Sequence, residues 1–192
     1  TPASPWPVPF TLAEDALIAR AAVVYDVAGN EVLFAKNADT ALPLASLTKL
    51  MAALTVLTNT SEDALVPITT TPLQPEDDWG FWRGERWPTG DLVRFALAAS
   101  SNDAIAAAAE SLGADYIATI NSQAYTLGLR KTNVLNPTGL DESESMAGGY
   151  GSARDMATLA ATFMRQYPTY FEATSASYVT ISHAGRMLTA TS

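Results

Sequence analysis

A helix that is apolar on every side has to lie in the middle of a fold, and residues 46 to 57 are such a segment. From Ser46 onward, Leu47, Leu50, Met51, Ala52, Ala53, Leu54, Val56 and Leu57 put apolar residues on nearly all sides. The first turn nevertheless carries Ser46 and Lys49, three apart and so on one face. A serine hydroxyl is a poor nucleophile until a base takes its proton. Lysine can be that base only when largely neutral, which burial promotes by disfavouring the ammonium form. The helix start also points backbone N–H groups to where negative charge would develop in acyl transfer. Taken singly, the pattern also fits a capped helix with a solvated lysine.

Other segments are arranged around this helix. Two apolar runs, Ala21 to Val27 and Glu31 to Ala35, flank Ala28-Gly29-Asn30, whose Gly and Asn tolerate positive φ, so a β-hairpin is predicted. Residues 61 to 89 read as irregular, with four prolines. A helix opens at Thr89-Gly90-Asp91, breaks at Ser100-Ser101-Asn102, and resumes as an alanine-rich helix toward Gly113. A further helix spans Asp115 to Leu127, and a loop with the turn Asn136-Pro137-Thr138-Gly139 covers residues 130 to 150. Ser152 and Asp155 have capping-box spacing before a helix that must end at Pro168. Tyr178 to Ser182 and Arg186 to Thr191 read as strands turning at Ala184-Gly185. Strands at both ends around a helical block predict an α+β domain with one sheet closed by both chain ends.

Eleven basic against twenty acidic residues give a net charge of -9, which argues against a nucleic-acid binder that must neutralise phosphates. With no cysteine, disulfides and thiolate metal sites are excluded; no metal or cofactor is expected. No apolar run reaches the roughly 18 to 20 residues that cross a bilayer. Residues 1 to 10 form a proline-rich arm that cannot be helical, read as a mature N-terminus, a stalk or a trimmed end; residues 11 to 192 form the domain.

The polar break Ser100-Ser101-Asn102 places a hydroxyl and an amide between two apolar helices. It could be an ordinary connection with Asp103 capping the next helix. Paired with Ser46 and Lys49 upstream, it takes on another meaning. Ala45-Ser46-Leu47-Thr48-Lys49-Leu50-Met51 followed by Ser100-Ser101-Asn102-Asp103-Ala104 resembles the first two motifs of penicillin-binding serine enzymes. Leu127 to Asn133 leading into Asn136-Pro137-Thr138-Gly139-Leu140 resembles the D-alanyl-D-alanine carboxypeptidase branch. So do Val23-Val24-Tyr25-Asp26 and Gly151 to Ala157. The resemblance runs collinearly from Ala21 to Thr191. It implies a β-lactamase/transpeptidase-like α+β fold, an antiparallel sheet packed with a helical subdomain. It also implies that Ser46 is acylated, Lys49 is the base, Ser100 shuttles the proton and Asn102 positions the peptide. The implied partners are peptidoglycan stem peptides and β-lactam inhibitors, and the implied location is extracytoplasmic.

The family's third motif, Lys-Thr-Gly, does not occur in the sequence; Lys131-Thr132-Asn133 lacks the glycine and precedes a turn. The domain therefore reads as truncated at its C-terminal end, poor as a carboxypeptidase, and open to a C-terminal remainder or partner chain that completes the sheet. Three rivals remain. A Ser-His-Asp hydrolase would need His183, the sole histidine, and no Gly-x-Ser-x-Gly elbow accompanies it. A class A β-lactamase would need a glutamate before Leu135-Asn136, whereas Glu142 and Glu144 lie beyond the turn. A non-catalytic peptidoglycan- or partner-binding homologue would keep the motifs as relics. The stretch Trp79 to Trp87 is either loop packing or a sugar- or partner-binding surface.

Overall fold

The apolar centre of the helix after Ser46 already sets the plan, with one central helix that the rest of the chain must enclose. The computed structural model describes residues 17–69 and 80–191; the proline-rich arm and Trp79 lie outside them. The chain opens with the expected hairpin, β1 (Ala22–Asp26) and β2 (Glu31–Lys36), antiparallel with a bulge at Val24/Tyr25. Asn30 takes the left-handed conformation at φ +56°. Its side-chain oxygen accepts from Tyr25 Oη at 2.7 Å, and Asp26 accepts from the Ala28 amide at 2.9 Å.

After β3 (Leu42–Pro43), a 3₁₀ turn (Ala45–Leu47) leads into α1 (Thr48–Asn59). Met51, Ala52, Ala53, Leu54 and Val56 are fully buried, because α1 packs against α2 (Thr89–Ala99), α3 (Asn102–Glu110), α4 (Tyr116–Thr126) and α5 (Ala153–Gln166). Its interior Thr55 hydroxyl is satisfied by the Met51 carbonyl at 2.9 Å. Alanines 96, 98, 99, 104, 107, 108 and 109 are buried on α2 and α3 and let these helices approach closely. Ser101, and not Asp103, caps α3: its Oγ accepts from the Ala104 amide at 3.1 Å.

Three features depart from the sequence reading. The segment read as irregular pairs β4 (Leu65–Pro67) with β5 (Arg86–Pro88), and the loop after α4 contributes β6 (Asn133–Val134) and β7 (Gly149–Gly151) to a sheet of order β3-β7-β6. These strands of two or three residues are too short to leave a period-2 signal. A short helix, α6 (Pro168–Ala173), starts at the proline that ends α5, since Pro suits a first turn. Finally, the one sheet closed by both chain ends is not formed among the described residues. The first hairpin packs on α5, while β8 (Tyr178–His183) and β9 (Arg186–Thr191) form a separate hairpin on α2. Alternation along strands shows which face is buried but not which strand is the neighbour.

The aromatic stretch divides. Phe81 and Trp87 are buried and meet edge to face, as do Phe81 and Phe95, which supports loop packing. Trp82 is exposed with the Arg186 guanidinium 3.7 Å above its ring. Glu85 ties this corner together, accepting from the Trp82 amide at 2.9 Å, Trp87 Nε1 at 3.2 Å and Arg186 Nε at 2.6 Å. Burial pushes the Glu85 carboxyl up, but these hydrogen bonds and the Arg186 charge outweigh it and hold it below the usual glutamate range. Near the start of α2, Tyr170 of α6 donates to Glu62 at 2.8 Å. Its phenol is pushed above the ordinary range by burial first and the Glu62 bond second.

The capping box is half formed. Ser152 Oγ accepts from the Asp155 amide at 3.1 Å, but the Asp155 carboxylate does not return the bond. It accepts instead from the Lys131 amide at 2.8 Å and Thr132 Oγ1 at 2.9 Å, which holds the loop after α4 onto the start of α5. Lys131-Thr132 thus serves the scaffold. Asp155→Ala should lower unfolding stability by about 1–3 kcal/mol, the cost of leaving such donors unsatisfied, measured by urea denaturation. Glu85 supplies a pH-dependent contribution. Its folded-state pKa is lowered, so its stabilisation is present at neutral pH and is lost as pH falls through the folded value. Thermal unfolding of Glu85→Gln should therefore show a deficit at pH 7 that closes in acid.

Candidate active site

The serine motif folds into two conformations in succession. Ala45 sits at φ +47°, Ser46 is in the 3₁₀ turn, and Lys49 is in the first turn of α1. A left-handed alanine costs about 1–2 kcal/mol, so the neighbouring structure must hold it. Gly139 does so: at φ +81° it lies so close that a Cβ there would overlap the Ala45 carbonyl oxygen. Ser46 is exposed, and Lys49 is 3% exposed.

Ser100 ends α2 in a left-handed conformation, φ +56° and ψ +27°, which turns the chain sharply before Ser101 starts α3. The turn presents Ser100 Oγ to Ser46 Oγ at 3.0 Å. From the other side Lys49 Nζ reaches Ser46 Oγ at 2.9 Å and donates to the Thr138 carbonyl at 3.1 Å. Residues 46, 49, 100 and 138 thus meet, although 89 positions separate Lys49 from Thr138. Lys49 is buried with its nitrogen shared between the Ser46 hydroxyl and the Thr138 carbonyl. Next to it, an open cavity of about 580 Å³ is lined by Ser46, Lys49 and Ser100 together with Leu50, Leu97, Ala160 and Phe171.

Asn102 is placed differently. It is the first residue of α3, 6% exposed, and does not line that cavity. His183 stands at the end of β8 with its ring 6.3 Å from that of Trp87, while the hydrogen-bond partners of Ser46 Oγ are Lys49 and Ser100. Glu142 accepts from Asn136 Nδ2 at 2.6 Å. Among the described residues no group of three or more His, Asp or Glu side chains is arranged to hold a metal ion, and no helix is long and apolar enough to cross a membrane. The sequence reading did not identify Thr138 and Gly139 as part of the site. The signal was present in Asn136-Pro137-Thr138-Gly139, which was legible as a turn but not as the support of a distant lysine.

Residues 9–191 match the model of the D-alanyl-D-alanine carboxypeptidase family. The chain is 31% identical over 173 residues to a D-alanyl-D-alanine endopeptidase of Pseudomonas aeruginosa, covering 86% of this chain and 54% of that protein. It is 30% identical over 164 residues to the D-alanyl-D-alanine carboxypeptidase DacF of Bacillus subtilis, covering 77% and 39%. The chain therefore spans about half the length, or less, of these curated relatives. Its fold is similar to that of penicillin-binding protein D2 of Listeria monocytogenes solved with ampicillin bound, with TM-score 0.74, 32% identity, and coverage of 90% and 72%. It is also similar to a D-alanyl-D-alanine carboxypeptidase of Mycobacterium tuberculosis, with TM-score 0.78, 26% identity, and coverage of 88% and 65%. The β-lactamase/transpeptidase-like α+β fold implied by the motifs is the one these solved structures share with it. With a family match running through every described residue, and with the serine, lysine and second-serine motifs meeting at one point, the chain belongs to the D-alanyl-D-alanine carboxypeptidase family.

Proposed function

We propose that this chain carries the acylating machinery of a penicillin-binding serine D-alanyl-D-alanine carboxypeptidase acting on peptidoglycan stem peptides outside the cytoplasm. The observation that carries the reading is the contact of Ser46 Oγ with both Lys49 Nζ and Ser100 Oγ. Neutral Lys49 takes the Ser46 proton as Oγ attacks the carbonyl carbon of the bond between the two D-alanines. Collapse of the tetrahedral intermediate breaks the C–N bond. The proton held by Lys49 passes through the Ser100 hydroxyl to the departing D-alanine amine. Water then attacks the acyl-serine, releases the shortened peptide and returns a proton to Ser46. The peptide contact falls to Asn102 by the family resemblance, although the side chain is buried at the start of α3 and does not line the cavity. A β-lactam follows the same first step, and its ring-opened acyl group stays on Ser46. No metal or cofactor takes part.

The endopeptidase relative supports a second substrate form, a D-alanyl bond within a peptide cross-link, attacked by the same groups. The class A β-lactamase alternative is less well supported, because the Glu142 carboxylate is engaged by Asn136 on the far side of the turn. A non-catalytic homologue would have no need of a lysine buried against a serine hydroxyl. A C-terminal remainder or a partner chain that supplies a Lys-Thr-Gly strand would complete the cleft.

Incubation with a fluorescent penicillin should label this protein at Ser46, and Ser46→Ala should abolish the label, as read by intact mass. An adduct that persists in Ser46→Ala would reject the nucleophile. Lys49→Arg should fold but fail to acylate, since arginine stays protonated and cannot accept the serine proton. Near-native labelling of the folded variant would mean that another group is the base.

A further inference from the structure

Lys49 does its work only if its nitrogen is aimed. A neutral amine turns freely about its last C–N bond, so its lone pair faces Ser46 for only part of the time unless an N–H is held elsewhere. The Thr138 carbonyl can only accept, and at 3.1 Å it takes one N–H of Lys49 in either protonation state. That carbonyl belongs to a loop, and a loop carbonyl is an exact anchor only if the loop is itself tied down.

Backbone bonds from the Leu135 and Asn136 amides to the Gly148 carbonyl anchor the start of the turn, and the Leu140 amide donates to Thr138 Oγ1 at 3.1 Å, but most of the turn's donors are gathered by the Asn136 side chain. Asn136 Oδ1 accepts from Thr138 Oγ1 at 2.8 Å, the Gly139 amide at 2.8 Å and the Thr138 amide at 3.2 Å. Its Nδ2 donates outward to the Leu140 carbonyl at 2.8 Å and Glu142 Oε1 at 2.6 Å. The amide has one workable orientation, since a flip would set its NH₂ against three donors and its oxygen against a carbonyl and a carboxylate. Gly148 makes room for it, because a Cβ there would run into Asn136 Nδ2 and the Leu140 carbonyl. The turn so fixed bears on the nucleophile as well, through the contact of Gly139 with Ala45.

We propose that Asn136 is a positioning residue for Lys49, fixing the Asn136–Gly139 turn so that the Thr138 carbonyl aims the lysine amine at Ser46, with Glu142 locking the orientation of the Asn136 amide. The geometric claim stands on the hydrogen bonds alone; its catalytic consequence rests on Lys49 being the base. Neither Asn136 nor Glu142 touches the reacting atoms.

Lysine positions 36, 49 and 131 are the only ones in the chain, so the Cε groups of lysine can be followed individually by ¹³C NMR relaxation. In the native protein the Lys49 Cε order parameter should be high and that of exposed Lys131 low. In Asn136→Ala, Lys49 should fall toward Lys131 while the methyl groups of Met51 and Leu54 on the same helix stay as rigid as before. An unchanged Lys49, or a loss of order shared by Met51 and Leu54, would overturn the proposal, the latter by reducing Asn136 to general support. A variant that restores the inward acceptor guards against a folding defect. Asn136→Asp combined with Glu142→Gln again presents an oxygen to the turn, and although its outer oxygen then faces the Leu140 carbonyl, Lys49 should regain part of the order lost in Asn136→Ala; no gain over Asn136→Ala counts against the proposal. In the kinetic arm, acylation of Asn136→Ala by penicillin should slow about a hundredfold, the scale of a one-ångström misplacement, yet still reach full stoichiometry. A native rate would overturn the catalytic consequence. If the native protein itself takes no penicillin, the proposed function fails, and the relaxation measurements still decide the role of Asn136.

Discussion

Everything in this molecule depends on burying α1 on all sides while leaving its first turn open to solvent. The middle of the helix is enclosed by four others, and that enclosure immobilises whatever the helix carries. Lys49 lies at the boundary, enclosed by the core yet touching the exposed Ser46. One turn deeper, the same side chain would have had only apolar neighbours and backbone already committed to the helix. One turn earlier, water would have kept it charged. The position where the apolar run begins therefore sets the chemistry as much as the residue type does.

The second constraint is backbone conformation. Two non-glycine residues beside the reacting hydroxyls, Ala45 and Ser100, occupy left-handed conformations. Each terminates one direction of chain and starts another within a single residue, which is how hydroxyls from different helices come within 3.0 Å. Such conformations persist only when their surroundings determine them. At Ala45 the determining contact is the backbone of Gly139, for which no other residue has room. At Ser100 it is the capped start of α3, where Ser101 accepts from Ala104.

What was legible in the sequence follows from how far each signal reaches. The helices over residues 89–99, 102–110, 116–126 and 153–166 were legible because their apolar period, Gly stops and Ser152 cap act within a few residues. The outer hairpins were legible for the same reason, as Ala184 and Gly185 both turn at positive φ. The pairings β4–β5 and β3–β7–β6 were not, since they join strands of two or three residues across long separations. In the site, Ser46, Lys49 and Ser100 could be picked out by motif. The Thr138 carbonyl could not, because a backbone acceptor is offered by every residue and only the fold selects one.

The loop between α4 and α5 shows how such selection is made. Its near end is held by Asp155, which gathers Lys131 and Thr132, and its middle by Asn136, which gathers Thr138 and Gly139. Both are short polar side chains whose oxygens accept from backbone and hydroxyl donors that a buried loop would otherwise leave unsatisfied. Satisfying those donors and placing the Thr138 carbonyl are one structural act. A loop bound to the core only by apolar contacts could slide by an ångström at little cost. A loop whose donors are gathered by the side-chain oxygens of Asp155, Asn121 and Asn136 has a single register, and the lysine that hydrogen-bonds to it inherits that register.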